Sequence, residues 1–251
     1  MDRAPLLALD GPTRHELAHR ERIDWHQHTV HQLIHPSDGV LRVSTAQGVW
    51  VVPPLRAVWV PAGVAHAHQA HGPTRMRALA FPADRDPLPP GRPTVLAVSP
   101  LLREVVVALT DDLVTRQFDA RQRRNLERVA LDQLRGVDAL PLHLPAPTDP
   151  RLVELTALLT RDPGDRRPLA RLGAAVGASE RTLSRLFRQQ TGMTFPQWRT
   201  QLRLHHALTL LATGASVTTV AATCGYANTS AFIESFRLAF GGTPGQYFRR
   251  T

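Results

Sequence analysis

Two folded units in tandem, a small β-rich one followed by a helical one, make up the α+β multidomain fold class that this sequence predicts. Three observations carry the prediction. Between Gln32 and Phe81, β-branched and aromatic residues are broken by turn signals at short intervals. From Leu101 onward the apolar period becomes helical. The last hundred or so residues contain an internal repeat. A chain of 251 residues is long enough for two units that each bury a core.

In the front part, the expected strands are Gln32 to His35, Val40 to Thr45, Val49 to Val52, Ala57 to Val60, Ala65 to Ala70 and Met76 to Phe81. Ser37-Asp38-Gly39, Gln47-Gly48, Pro53-Pro54, Pro61-Ala62-Gly63 and Gly72-Pro73 are the expected turns between them. Short strands so closely spaced predict a small antiparallel barrel or sandwich. A proline-rich break from Pro82 to Pro93 precedes two predicted helices between Leu101 and Leu134. Leu102, Val105, Val106 and Leu109 form one apolar stripe, and Leu126, Val129 and Leu134 another. Stripes of that length exceed what so small a barrel should cover, so they are expected to form a homodimer seam. Four prolines between Pro141 and Pro150 predict a semi-rigid linker. The expected boundaries are residues 1–96 for the β-rich unit, 97–148 for the helical segment and linker, and 149–251 for the helical unit.

Charge separates the two ends. All 30 basic residues are Arg, against 21 acidic ones. Residues 149–251 hold 13 Arg and 6 acidic groups, while residues 1–148 hold 17 and 15. The surplus favours a polyanionic partner for the back end. The lone Cys224 excludes an internal disulfide, and its helical context beside Ala221 and Ala222 predicts a small buried hydrophobe. No apolar run of about 18 residues marks a membrane span, and Met1-Asp2-Arg3-Ala4-Pro5 does not open a signal peptide. A cytoplasmic protein without a membrane partner is therefore expected.

The repeat is the most informative feature. A shift of about 49 residues lays Ser179, Leu183, Phe187, Gly192, Thr194, Gln197 and Trp198 over Asn228, Phe232, Phe236, Gly241, Thr243, Gln246 and Tyr247. A register one shorter lays Leu169, Leu172, Val176 and Gly177 over Val217, Val220, Cys224 and Gly225. Each copy thus has a short helix, a glycine able to turn left-handed, and a second helix opened by a capping Ser or Asn. That order is a helix-turn-helix. In the first copy Leu183, Leu186 and Phe187 should bury, leaving Arg181, Ser184, Arg185 and Arg188 on the opposite face. Such a face suits the major groove of double-stranded DNA, where Arg can read guanine or grip phosphate. In the second copy Phe232, Phe236 and Phe240 should bury, leaving Ser230, Glu234 and Arg237 outside. Glu234 repels phosphate and can instead accept from a cytosine amino group. Between the copies, Thr194 to Thr213 is expected to be one long helix that spaces the two recognition helices.

On these residues the back end resembles the DNA-binding domain of the AraC/XylS family of bacterial transcriptional regulators. The resemblance is carried by Arg181 through Phe187, Thr191-Gly192-Met193-Thr194-Phe195, Gly225-Tyr226, Ala231-Phe232, Phe236 and Phe240-Gly241. It implies that Arg181, Ser184 and Arg185, then Ser230, Ala231 and Glu234, face promoter DNA. Glu234 departs from the family, in which Arg is common at that place.

The front end resembles a cupin, which AraC-type proteins often use as an effector domain. Cupins carry a His-x-His pair with a following carboxylate, then a Pro-x-Gly turn with another His. Here His26-Gln27-His28 is followed by Gln32, and Pro61-Ala62-Gly63 leads to His66. The resemblance implies a metal site of His26, His28, Gln32 and His66. Its neutral Gln32 would favour Zn, Ni or Co over Mg. Trp50, Trp59 and His68 are the expected lining of an effector pocket. The implied function is a promoter-binding regulator controlled by a small molecule or metal, contacting RNA polymerase if it activates. The competing class is a metal-dependent cupin enzyme fused to a DNA-binding domain. Gln32 in the place of Glu argues against it, and no catalytic residues are expected.

Overall fold

The computed structural model describes residues 4–9, 11–88, 91–135 and 143–248. The chain divides into two compact units, Met1–Ala46 with Trp50–Pro141, and Leu142–Thr251 with Gln47–Val49.

Among the described residues the strands before the first helix are β1 (Thr13–Leu17), β2 (Arg22–His26), β3 (His31–Thr45), β4 (Gly48–Val52, of which Gly48 and Val49 fall in the second unit), β5 (Arg56–Val60), β6 (His66–Phe81) and β7 (Thr94–Ala97). Three helices follow, α1 (Pro100–Thr110), α2 (Asp112–Thr115) and α3 (Ala120–Leu134). β3 and β6 are the spine, antiparallel from His31 opposite Phe81 to Thr45 opposite His66. β6 also pairs with β1 and β2, and β5 pairs with β3 and β7. Two departures from the expected strands stand out. Each long strand fuses two expected short ones, because Pro36 to Gly39 and Gly72-Pro73 lie inside strands rather than between them. Register shifts between Pro36 and Val40 absorb the irregularity, and Gly39 and Gly72 both take φ of +72°. β1, β2 and β7 are additional strands that the alternation of the sequence did not suggest.

Period-two geometry sorts β6 by face. Even-numbered residues from His66 to Ala78 are buried, whereas Ala67, Gln69, His71, Pro73 and Arg75 are half-buried or exposed. Beyond Arg75 the odd face is buried as well, because the helices cover it. Leu102, Val105, Val106 and Leu109 of α1 and Ala130, Leu131 and Leu134 of α3 share one core with Leu33, Ala57, Trp59, Leu79, Phe81 and Leu96. Leu126 and Val129 pack against the same cluster.

This core corrects two expectations. The α1 stripe is not a dimer seam: Val105, Val106 and Leu109 are 4%, 1% and 2% exposed. The sheet has a second apolar face that must be covered, and the helices cover it. Trp59 does not line an inner effector pocket. It alternates away from Val58 and Val60 into the sheet–helix core, with its ring stacked 5.1 Å from His31 and 5.6 Å from Phe81.

The second unit comprises β8 (His143–Pro145), α4 (Pro150–Arg161), α5 (Leu169–Ala175), α6 (Glu180–Thr191), α7 (Phe195–Ala212), α8 (Val217–Thr223), α9 (Thr229–Phe240) and α10 (Pro244–Tyr247). Of the expected linker, residues 141 and 142 lie outside the described residues. His143–Pro145 is a short strand, and Pro150 begins α4 behind the cap Asp149. The repeat extends to individual hydrogen bonds. Ser179 accepts from the Thr182 amide at 3.2 Å, and Asn228 from the Ala231 amide at 2.8 Å. Gln197 Oε1 accepts from the Thr194 amide at 2.8 Å, and Gln246 Oε1 from the Thr243 amide at 2.7 Å. Each copy closes on its own aromatic core. Phe187 lies 5.3 Å from Phe195 and 5.5 Å from Trp198 in the first, and Phe236 lies 4.4 Å from Phe240 and 5.5 Å from Tyr247 in the second. Gly225, at φ +71°, is required twice over, since a Cβ there would meet Gly164 O at 2.7 Å. Among the described residues no helix is long and apolar enough to cross a membrane.

Candidate DNA-reading helices and a buried histidine cluster

Helix α6 presents the face that its sequence predicts. Leu183, Leu186 and Phe187 are buried, Arg181, Arg185 and Arg188 are exposed, and Ser184 is half-buried between them. Arg181, Ser184, Arg185 and Arg188 line an open groove together with Gln189. Gln189 was not singled out from the sequence, although it lies one turn beyond Arg185. Its Oε1 accepts from Arg185 Nη1 at 2.9 Å, which holds the guanidinium over the helix surface. Among the described residues none of the three arginines pairs with a carboxylate.

Other arginines of the unit are tied to the fold. Arg167 pairs with Asp165 at 2.6 Å and Arg151 with Asp149 at 2.8 Å. Arg203 donates to the carbonyls of Pro163 and Asp165 at 3.1 and 3.0 Å, and Arg166 donates to that of Tyr226 at 2.7 Å. Helix α6 thus carries three exposed arginines on one face, at Arg181, Arg185 and Arg188. An exposed Arg-rich helix behind a helix-turn-helix corner can enter a major groove and donate to guanine or phosphate.

Helix α9 is a chemically different face. Ser230, Glu234 and Arg237 are exposed and Ala231 is half-buried, as expected. Leu238, not anticipated from the sequence, is 79% exposed beside Arg237. α9 therefore offers one cation, one carboxylate, a hydroxyl and a methyl-rich tip.

In the first unit the structure gathers His26, His66 and His68, with one ring nitrogen of each within 4.8 Å of the others. His28 borders them, its ring 4.9 Å from His26 and 5.4 Å from His66. Cross-strand pairing explains the meeting: His26 lies opposite His66 on β2 and β6, and His66 and His68 share the inner face of β6. Three rings are pinned through Nδ1 to main-chain carbonyls. His26 bonds Asp24 O at 2.6 Å, His66 bonds Val64 O at 2.8 Å and His28 bonds Leu7 O at 2.8 Å. The Nε2 atoms of His28 and His66 and both ring nitrogens of His68 are buried with no hydrogen-bond partner. Burial pushes the His66 imidazole down to about 4 and His68 well below its ordinary value.

Of the expected pocket residues, His68 joins the cluster. The His66-Ala67-His68 alternation carried that signal in the same way as His26-Gln27-His28. Trp50 is 2% exposed on β4. Gln32 is buried on β3 opposite Val60 and Ala80, and its Oε1 has no partner.

Comparison with known proteins agrees with both halves. A helix-turn-helix domain model matches residues 172–250, and an AraC-like ligand binding domain model matches residues 13–120. The chain is 35% identical over 225 residues to the HTH-type transcriptional regulator NimR of Escherichia coli K12, covering 90% of this chain and 82% of NimR. It is 38% identical over 104 residues to the HTH-type transcriptional regulator RipA of Corynebacterium glutamicum, covering 41% of this chain and 31% of RipA. Among solved structures, a transcriptional regulator with an AraC-type DNA-binding domain from Chromobacterium violaceum is 29% identical, covers 39% of this chain and 89% of its own, and has a TM-score of 0.38. With a repeated helix-turn-helix unit behind a domain that matches the AraC-like ligand-binding model, and 35% identity to an HTH-type transcriptional regulator over 82% of its length, the chain belongs to the AraC family of transcriptional regulators.

Proposed function

We propose that this protein is a one-component switch in which an effector, a small molecule or a metal ion, binds inside the first unit and changes how α6 and α9 hold promoter DNA. The observation that carries the reading is the exposed Arg181, Arg185 and Arg188 face of α6. Arg185 reads a guanine edge, with Ser184 beside it, and Arg181 and Arg188 hold phosphates. On α9, Ser230, Ala231, Glu234 and Arg237 form the second reading surface. Effector binding shifts DNA affinity only to the extent that it prefers one arrangement of the protein.

The protein works in the cytoplasm as a homodimer, through a seam other than the Val105–Leu109 stripe, and contacts RNA polymerase where it activates. It is a regulator rather than an enzyme. The relative that shows the family is an HTH-type transcriptional regulator, and this supports the reading.

Arg185→Ala tests the reading. On a duplex selected by the full chain, loss of a bidentate base contact should cost about 1–3 kcal/mol and relax preference at one base pair. Fluorescence anisotropy on the selected and a scrambled duplex measures both effects. Equal weakening on the two would remove the base-reading role.

A further inference from the structure

We infer that His26, His66 and His68 bind one divalent transition-metal ion of the zinc, nickel and cobalt class, with His28 as the fourth imidazole. The inference deepens the effector reading above and rests on it only for the step from metal to DNA.

Geometry comes first. Three ring nitrogens from two paired strands already lie within 4.8 Å of one another. A tetrahedral ion with bonds of about 2.0–2.1 Å needs its ligand atoms roughly 3.3 Å apart, so loading draws the three together by at most about 1.5 Å.

The hydrogen bonds then fix which atoms face the ion. When Nδ1–H of His26, His66 and His28 donates to the carbonyls of Asp24, Val64 and Leu7, Nε2 of each ring carries the lone pair. This is the outer-shell arrangement that orients metal-binding histidines. Nothing within the described protein uses those lone pairs on His28 and His66, and neither nitrogen of His68 has a partner. One water molecule donates only two hydrogens and cannot satisfy them together. A single cation can take the lone pair of each ring, leaving the other His68 nitrogen as the N–H.

The donor set decides the class of ion. It is imidazole without carboxylate, thiolate or carbonyl, which suits borderline-soft ions and not Mg or Ca. It also departs from the set implied by the barrel resemblance. His68, two residues along β6 from His66, takes the place that Gln32 was expected to fill.

The test uses the full chain purified without a histidine tag, stripped with a chelator and titrated with cobalt(II) chloride, then zinc chloride. One equivalent of cobalt should give the visible ligand-field bands of a tetrahedral site, and zinc should displace them. His68→Ala and His26→Ala, each confirmed folded by circular dichroism, should weaken binding by more than the roughly hundred-fold that loss of an outer-shell partner costs. His206→Ala, in the second unit, should change nothing. If the alanine variants fail to fold, X-ray absorption of the wild-type zinc form counts the imidazoles directly, and three or four are expected. Folded wild-type protein that binds neither ion, or binding that survives His68→Ala and His26→Ala, overturns the site. A metal-free barrel would leave the organic-effector reading standing. Metal bound at these histidines without any effect on DNA affinity would support the site and remove metal as the effector.

Discussion

Replacing Val106 by Ala deletes two buried carbons from the core that joins α1 and α3 to the sheet. Val106 is 1% exposed and shares that core with Trp59, Leu79 and Leu134. At about 0.8 kcal/mol per buried carbon, the transfer loss is roughly 1.6 kcal/mol. A cavity of roughly 50 Å³ left unfilled adds about 1 kcal/mol more. The total, about 2–3 kcal/mol, lowers the melting temperature of the first unit by roughly 8–12 °C for a unit of this size. Val106→Glu is harsher, because a carboxylate forced into this core must be buried charged or protonated at a cost of several kcal/mol. Thermal unfolding by circular dichroism reads the loss, and sedimentation velocity on the folded Val106→Ala chain reads assembly, which should be unchanged. A Val106→Glu chain that melts like wild type yet sediments as a smaller species would refute the assignment and restore the stripe as an interface.

Two further predictions follow from buried titratable groups. The Cys224 thiol is fully buried and pushed up to about 12 by desolvation, so the native chain should react with a disulfide reagent at mildly alkaline pH only as fast as it unfolds. Rapid reaction without denaturant would place that thiol at the surface. His35 is 1% exposed with Nδ1 bonded to Arg56 O, and burial lowers its pKa despite that bond, with Arg77 and Arg103 acting in the same direction and Asp38 opposing. Its folded pKa lies below the unfolded value of about 6.5, so the unfolded chain takes up the proton first and stability falls as pH drops below about 6.5. The urea midpoint of the first unit should therefore decrease between neutral and mildly acidic pH, with a shallower decrease in His35→Leu; identical slopes in the two proteins would exclude His35 from the effect.

The second unit was legible because its signals are local and occur twice. Helix caps, left-handed glycines and aromatic positions each fall at a fixed offset, so one copy checks the other, and Ser179, Asn228, Gln197 and Gln246 make the bonds that their spacing suggests. Long-range facts in the first unit were not legible. Pro36, Gly39, Gly72 and Pro73 carry the composition of turns, and only the pairing of β3 with β6 reveals that bulges absorb them. β1 has exposed Arg14, His15 and Glu16 and lacks an alternating apolar signal, so its place depends on the strand it meets. The same reason governs Trp59 and the α1 stripe. Their period is visible in the sequence, but what covers each face depends on how the chain returns to the sheet. For the histidines, the sequence named the neighbourhood through His26, His28 and His66, and the strand register brought in His68.

DNA reading by two helix-turn-helix units of one chain can be measured by selection from a pool of random duplexes with the full chain, repeated with Arg185→Ala and with Glu234→Ala. Enriched sites should carry two sub-sites about one helical turn, or roughly 10 base pairs, apart. Arg185→Ala should relax a guanine in one sub-site, and Glu234→Ala should relax a cytosine in the other. No enrichment over the starting pool, or retention of specific and random duplexes that weakens equally as salt is raised, would contradict it.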